Sequence, residues 1–108
     1  MQTIAVIIRY FGKDDSAKRF ANEMISSGIM DEIRAKEGNL QYEYFFPEAE
    51  DGSVTLIDSW ASQKALDGHQ KSLTMGKIAA LRQKYDLHMA IRKYREILNE
   101  GDGKHGRK

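Results

Sequence analysis

The sequence predicts a small α+β domain with a ferredoxin-like fold, in which the split β-α-β pattern forms an antiparallel sheet. Two observations lead to this class. Segments of alternating apolar residues are interspersed with segments in which apolar residues recur every three or four positions, in the order β-α-β-β-α-β. The length of 108 residues is also that of one domain. We therefore assign residues 1–98 to a single domain and residues 99–108 to a disordered, polar tail.

The chain opens with a predicted strand at Thr3–Phe11 and a long helical segment at 16–35. The strand carries apolar, β-branched side chains on both faces, which is typical of a strand central in a sheet. Asp15 or Ser16 is expected to cap the helix, since both residue types can accept a hydrogen bond from a free backbone amide. Gly28 lies inside the helical pattern, and glycine weakens a helix interior, so we predict a kink or break there.

The second and third strands are predicted at 40–46 and 54–60 and pair as an antiparallel hairpin. Pro47 ends the second strand because it cannot donate to a ladder, and Asp51-Gly52 supplies the turn. One face of the second strand is predicted to carry Leu40, Tyr42, Tyr44 and Phe46. One face of the third strand is predicted to carry Val54, Leu56, Asp58 and Trp60.

A short helix follows the third strand, with Ser62 as its N-cap. Ala65, Leu66 and His69 then lie on one face of this helix. The single tryptophan, Trp60, and His69 therefore come from adjacent elements and can point to one place. A further helix is predicted at 73–85, and a last strand at 87–97 completes the sheet.

Composition excludes several classes of site and partner. The chain has 17 basic and 16 acidic residues, a formal charge of +1, and no clustered basic face that would bind nucleic acid. It has no cysteine, which excludes disulfides and thiolate chemistry. We expect a cytoplasmic protein that does not bind membranes, because there is no signal pattern at the N-terminus and no apolar stretch long enough to span a bilayer. No spacing of histidines and acids indicates a metal site, so we expect no metal and no cofactor.

The residues around the third strand resemble those of the antibiotic biosynthesis monooxygenase family, which includes quinol monooxygenases. The resemblance rests on Asp58, Trp60, Ser62, Ala65-Leu66 and His69, in the family's order and spacing. It is extended by a glycine before a strand of alternating aromatics, in residues 37–43. The family more often has Glu where this chain has Asp58. The resemblance implies a homodimer, in which two sheets form a dimeric α+β barrel.

The resemblance also implies roles for individual residues. His69 is the candidate catalytic residue, as a base that deprotonates the substrate, and Trp60 is the candidate wall of the pocket. Asn39, Tyr42 and Asp58 are the further candidates for substrate binding. Each has a structural alternative: a packed aromatic for Trp60, a hydrogen-bonded core residue for His69, and a turn residue for Asn39. Asp58 is otherwise expected to bond the helix start, and Tyr42 to belong to the sheet core or a dimer interface.

The predicted function is a cofactor-independent monooxygenase that acts on a small aromatic quinol or phenol. Two alternatives of other classes stay open, since fold does not fix function. One is a non-catalytic domain that binds a small ligand, for example in a stress response, and the other is an isomerase branch of the family. Haem degradation belongs to a branch that uses an Asn in the first strand. Residues 3–11 contain none, which disfavours that activity.

Overall fold

The computed structural model describes residues 3–96 and has an antiparallel sheet of four strands in the order β2-β3-β1-β4. This confirms the predicted α+β, ferredoxin-like class. The elements in chain order are β1 (Thr3–Phe11), α1 (Ser16–Ser26), α2 (Ile29–Arg34), β2 (Asn39–Phe45), β3 (Val54–Trp60), α3 (Gln63–Gln70), α4 (Leu73–Lys84) and β4 (His88–Glu96). The predicted tail, at 99–108, and the end of the predicted last strand lie outside the described residues.

Register places the buried residues of three strands on the helix-covered face of the sheet. Ile4 lies opposite Trp60, and Val6 lies opposite Asp58 on β3, which in turn lies opposite Tyr42 on β2. Directly paired residues share a face, so these side chains form one layer. The helices add a second layer, mainly Ala17, Phe20, Ala21, Met24, Ile29, Ile33, Leu66 and Ile78. The core therefore lies between the sheet and the helices, and Trp60 is at its edge.

The predicted break in the first helix is confirmed at Gly28. This glycine has a φ of 87°, a left-handed conformation that glycine adopts without steric cost, and it separates α1 from α2. The long helical segment is therefore two helices, α1 and α2. Of the two predicted cap residues, Asp15 and Ser16, Asp15 occupies the N-cap position of α1. The expected capping hydrogen bond is not formed, because neither side chain bonds a backbone amide there.

The predicted alternation along β2 is wrong at both ends. A β-bulge between Asn39 and Gln41 shifts the register, so that Leu40 is 55% exposed instead of packing beside Tyr42. Phe46 lies beyond the strand and is 47% exposed. Only Tyr42 and Tyr44 of the predicted stripe therefore pack with the core.

The second face of the sheet has no helical layer in the described part of the chain. It carries Ile7 and Ile57, which pair directly, together with the exposed Phe45. At the β4 edge, residues 88–95 are all exposed, including Ile91 of the predicted alternation. None of the described helices has the length and apolar character needed to cross a membrane.

Candidate functional site

The site is built around Trp60, the last residue of β3. Its side chain is fully buried, and its Nε1 donates a hydrogen bond of 2.7 Å to Oδ1 of Asp58. Residues i and i+2 of a strand point to the same face, which explains why these two side chains meet. The expectation that Asp58 bonds the start of the following helix is therefore wrong, because its carboxylate accepts from the indole.

Asp58 lies behind Trp60 in a polar cluster within the core. Burial raises the pKa of Asp58 to about 7, although the bond from Trp60 and the charge of Lys36 act in the opposite direction. Tyr42, directly opposite, is also buried, and burial raises the pKa of its phenol. Its hydroxyl oxygen lies 3.4 Å from that of Tyr44. The layer behind the indole therefore holds neutral phenols and one carboxyl group that titrates near neutral pH.

His69 is brought to Trp60 by helix α3. The predicted cap is confirmed, since Ser62 Oγ accepts a hydrogen bond of 3.1 Å from the backbone N–H of Ala65. Leu66 and His69 then face the core. The imidazole stacks on the indole with ring centroids 4.8 Å apart and an interplanar angle of 23°. The predicted convergence of Trp60 and His69 is therefore observed.

Lys36 forms a hydrogen bond with the imidazole of His69. Its Nζ lies 2.9 Å from His69 Nδ1 and donates to Ser72 Oγ at 2.7 Å. Ser72 Oγ in turn donates to the backbone carbonyl of His69 at 2.6 Å. An ammonium group has no acceptor, so a protonated Lys36 assigns the lone pair of His69 to Nδ1 and the ring proton to Nε2.

The charge of His69 follows from this environment. Burial lowers the pKa of the imidazole to about 4, and the neighbouring Lys36 cation acts in the same direction. The ring is therefore neutral at neutral pH, with Nε2 as a hydrogen-bond donor. Burial also lowers the pKa of Lys36.

A cleft of about 500 Å³ opens beside the stacked rings. This volume lies within the range found for small-molecule sites in proteins. The lining combines one apolar wall with a few polar groups and comprises Lys36, Glu37, Gly38, Trp60, Ala61, Ser62, Lys64, Ala65, Gly68, His69 and Ser72. Trp60 and His69 are almost fully buried, yet both border the cleft, so a bound ligand would contact ring atoms of the two residues.

Gly38 sets the close approach of the chain to α3 at this cleft. It has a φ of 88°, and a Cβ added there would lie 2.6 Å from Ala65 Cβ. Both facts require glycine. The glycine of the motif in residues 37–43 therefore serves the packing of the cleft wall.

Three of the predicted site residues do not line this cleft. Asn39 Nδ2 donates to the carbonyls of Gln41 and Ser59, each at 3.4 Å, and Asn39 borders a separate surface depression. Tyr42 borders the same depression as Asn39, and it pairs with Asp58 across the strands. Asp58 lies behind the indole. The structure thus brings Trp60, His69 and Asp58 together, with Asp58 supporting Trp60 from the core side.

Sequence reasoning missed Lys36 and Ser72. They are 36 residues apart, in two polar segments without a periodic pattern, and only the fold brings them to His69. The position of Lys36 just before the Glu37-Gly38 pair was the one available signal. Among residues 3–96, no group of three His, Asp or Glu side chains is arranged to hold a metal ion.

The profile of a protein family described as antibiotic biosynthesis monooxygenase matches residues 3–81. The chain belongs to this family. The match includes β1, the β2–β3 hairpin and both rings of the stacked pair. No curated protein sequence matches the chain significantly.

Several solved structures have a similar fold. A proposed antibiotic biosynthesis monooxygenase of Caulobacter crescentus has a TM-score of 0.78 at 16% identity, covering 90% of this chain and 92% of its own. A conserved protein of Methanosarcina mazei has a TM-score of 0.75 at 22% identity, with coverages of 90% and 95%. A Mycobacterium tuberculosis protein has a TM-score of 0.75 at 19% identity, with coverages of 90% and 97%. At these identities the likeness concerns the fold.

Proposed function

We propose that this protein is a cofactor-independent monooxygenase that acts on a small aromatic quinol or phenol. The observation that carries the proposal is the stacked Trp60–His69 pair bordering a cleft of about 500 Å³ in a member of this family. The apolar wall, with Trp60 and Ala65, suits a flat aromatic ring. The polar groups, His69, Lys36 and Ser72, suit its oxygen substituent.

In this reaction the substrate supplies all the electrons. A phenol and one O2 give a quinone and one water, so that one oxygen atom enters the ring and the other leaves as water. Electron transfer to O2 requires the electron-rich anion of the substrate. The contribution of the protein is then to bind and orient the ring, to exclude water from it and to stabilise the charge on its oxygen.

Oxygen uptake tests the proposal. The purified protein is mixed with hydroquinones and catechols, metals are chelated, and an oxygen electrode records the rate. We expect uptake above the uncatalysed rate that is lost in His69→Phe, a variant that keeps an aromatic ring beside Trp60 but has no ring nitrogen. His88→Phe, which changes an exposed histidine on β4, is the matched control and should retain the rate. No uptake across the panel, or full uptake in His69→Phe, would refute the proposal.

A second candidate is a non-catalytic domain that binds a small aromatic molecule. The observation that favours it is the engagement of His69 Nδ1 by Lys36, together with the lowered imidazole pKa, because such a ring is a poor base at neutral pH. This function predicts that the fluorescence of Trp60 changes on addition of a phenol while oxygen is not consumed. The two measurements on one sample separate the candidates.

We also propose that the protein is a homodimer in which two sheets pack as an α+β barrel. The support is the second face of the sheet, which no element within residues 3–96 covers and where Ile7 and Ile57 meet beside exposed Phe45. Sedimentation should give the mass of a dimer, and Ile57→Lys should reduce it to that of a monomer. Leu73→Lys, at a side chain on α4 that is 90% exposed, should leave the dimer intact. A monomeric wild type would contradict the proposal.

A further inference from the structure

Within residues 3–96, Lys36 is a cation without a carboxylate partner at the edge of the cleft. Its two hydrogen-bond partners, His69 Nδ1 and Ser72 Oγ, are both neutral. The carboxylates whose charges influence it are engaged elsewhere: Glu32 accepts from Thr74 and Lys77, and Asp58 accepts from Trp60. Among the described residues Lys36 forms no ion pair. One of its three N–H groups therefore has no partner on the protein within this part of the chain.

This arrangement is typical of a site that receives an anion. A partly buried ammonium group pays a desolvation cost that a bound negative charge offsets. The two fixed neutral acceptors also hold Nζ in place before a ligand arrives, which reduces the entropy lost on binding. Ser72 contributes twice, because it accepts from Lys36 and donates to the carbonyl of His69.

We propose that Lys36 is the anion-binding residue of the cleft and that a phenol is bound there as its phenolate, with the ionised oxygen accepting a hydrogen bond from Lys36 Nζ. This inference rests on the proposed phenol or quinol ligand and names the state in which it is held. On binding, the O–H bond of the phenol breaks and its electron pair stays on oxygen. The proton goes to water or buffer at the open side of the cleft.

The same geometry reassigns the role of His69. Its Nδ1 accepts from Lys36, so the ring has no free lone pair with which to take the proton of the phenol. The neutral imidazole instead offers Nε2–H as a second donor. Lys36 supplies the charge, and His69 is a neutral donor ring that stacks on Trp60. A charge-assisted hydrogen bond is about twice as strong as a neutral one, which gives Lys36 the larger effect on the ionised ligand.

The test uses para-nitrophenol, because its phenolate and phenol forms have different absorption spectra. The spectrum of the bound ligand, recorded across pH, gives its apparent pKa on the protein. We expect wild type to bind the phenolate more tightly than the phenol by about tenfold or more, and so to lower this apparent pKa by about one unit or more. Lys36→Met should abolish the preference, and Lys36→Arg should keep it because the positive charge is retained.

Lys71→Met is the matched control. Lys71 is an exposed lysine at the C-cap of α3, one residue before Ser72 but outside the cleft lining, and its side chain forms no hydrogen bond or ion pair within residues 3–96. Its loss therefore tests a general effect of positive charge. This variant should keep the phenolate preference. Near-ultraviolet circular dichroism establishes that each variant is folded. The ring resonances of His69 in heteronuclear NMR provide a second readout, because loss of the Lys36 donor should change the proportion of the two imidazole tautomers.

The outcomes separate this inference from the proposed function. A phenolate preference that survives in folded Lys36→Met would overturn the role of Lys36 and leave the oxygenase proposal standing. Phenolate binding without oxygen uptake would refute the oxygenase and leave Lys36 as the anion-binding residue of a binding domain. Absence of para-nitrophenol binding to wild type would overturn the inference, since the cleft would then not receive a phenolate. An unchanged tautomer of His69 in Lys36→Met would contradict the assigned hydrogen bond.

Discussion

Replacing Asp58 with asparagine should remove a pH dependence of stability that burial imposes on the wild-type protein. In the folded protein the pKa of Asp58 is raised from 3.8 to about 7. Between pH 3.8 and about pH 7 the folded protein therefore binds more protons at Asp58 than the unfolded chain does. The free energy of unfolding due to this group therefore falls as pH rises through that window. In Asp58→Asn the amide oxygen can still accept the hydrogen bond from Trp60, but the side chain has no charge to lose or gain.

The size of the effect follows from the shift. About three pKa units at about 1.4 kcal/mol each correspond to about 4 kcal/mol of destabilisation above the window, with the full effect reached once the carboxyl is ionised. His69 acts in the opposite direction. Its pKa falls from 6.5 to about 4, so its contribution to the free energy of unfolding rises with pH in that interval. Water in the cleft reduces this second effect to about 2 kcal/mol.

Urea denaturation followed by the fluorescence of Trp60 measures the effect of Asp58, because the contribution of His69 is common to the variant and the wild type. We expect the difference in unfolding free energy between Asp58→Asn and wild type to increase by about 4 kcal/mol in favour of the variant between the two pKa values of Asp58. Any effect of the substitution that does not vary with pH cancels from this change in the difference. Asp31→Asn, which removes an exposed carboxylate on α2, controls for the lost charge. A difference that stays constant with pH in Asp58→Asn would refute the reasoning.

Substitutions at three positions around α3 test how the cleft wall is built, each by urea denaturation. Gly68→Ala should stabilise the protein by about 0.5–1 kcal/mol, since the added Cβ meets nothing within 4 Å and alanine favours a helix interior. Gly38→Ala should instead destabilise the protein by about 2–4 kcal/mol, because residue 38 has a left-handed φ and the added Cβ would overlap Ala65. Equal effects of Gly68→Ala and Gly38→Ala on stability would contradict this account. Ser62→Ala should cost about 1 kcal/mol through loss of the N-cap, and Ser62→Asp should restore it.

The corner between β3 and α3 could be predicted from sequence because its determinants are local. Alternation along the strand placed Trp60 and Asp58 on one face, the cap residue fixed the start of the helix, and helical spacing put His69 on its buried side. The break at Gly28 was also predictable, since the residue type itself permits the left-handed conformation. In each case a backbone preference within a few residues decides the geometry.

The remaining features depend on contacts between distant segments. The bulge in β2 arises from pairing with β3, and it displaces Leu40 from the face that simple alternation assigns to it. Lys36 and His69 are 33 residues apart, and their hydrogen bond exists only because the chain folds back past Gly38 onto α3. The family resemblance and the chemistry of histidine made His69 the candidate base. The partner that changes this role, Lys36, has no sequence pattern of its own.

The protonation states of His69, Lys36 and Asp58 favour binding of an anion at Lys36 rather than proton transfer to His69. The imidazole of His69 is neutral at neutral pH, and Lys36 is the cation that contacts it. Asp58 is the one carboxyl group behind Trp60 among the described residues, and burial keeps a large fraction of it protonated near pH 7. A protonated Asp58 adds no negative charge near Lys36, whereas an ionised Asp58 partly cancels the field of Lys36. The protein therefore gives up stability to bury this carboxyl group, and the same burial preserves the positive potential that a phenolate would meet at Lys36.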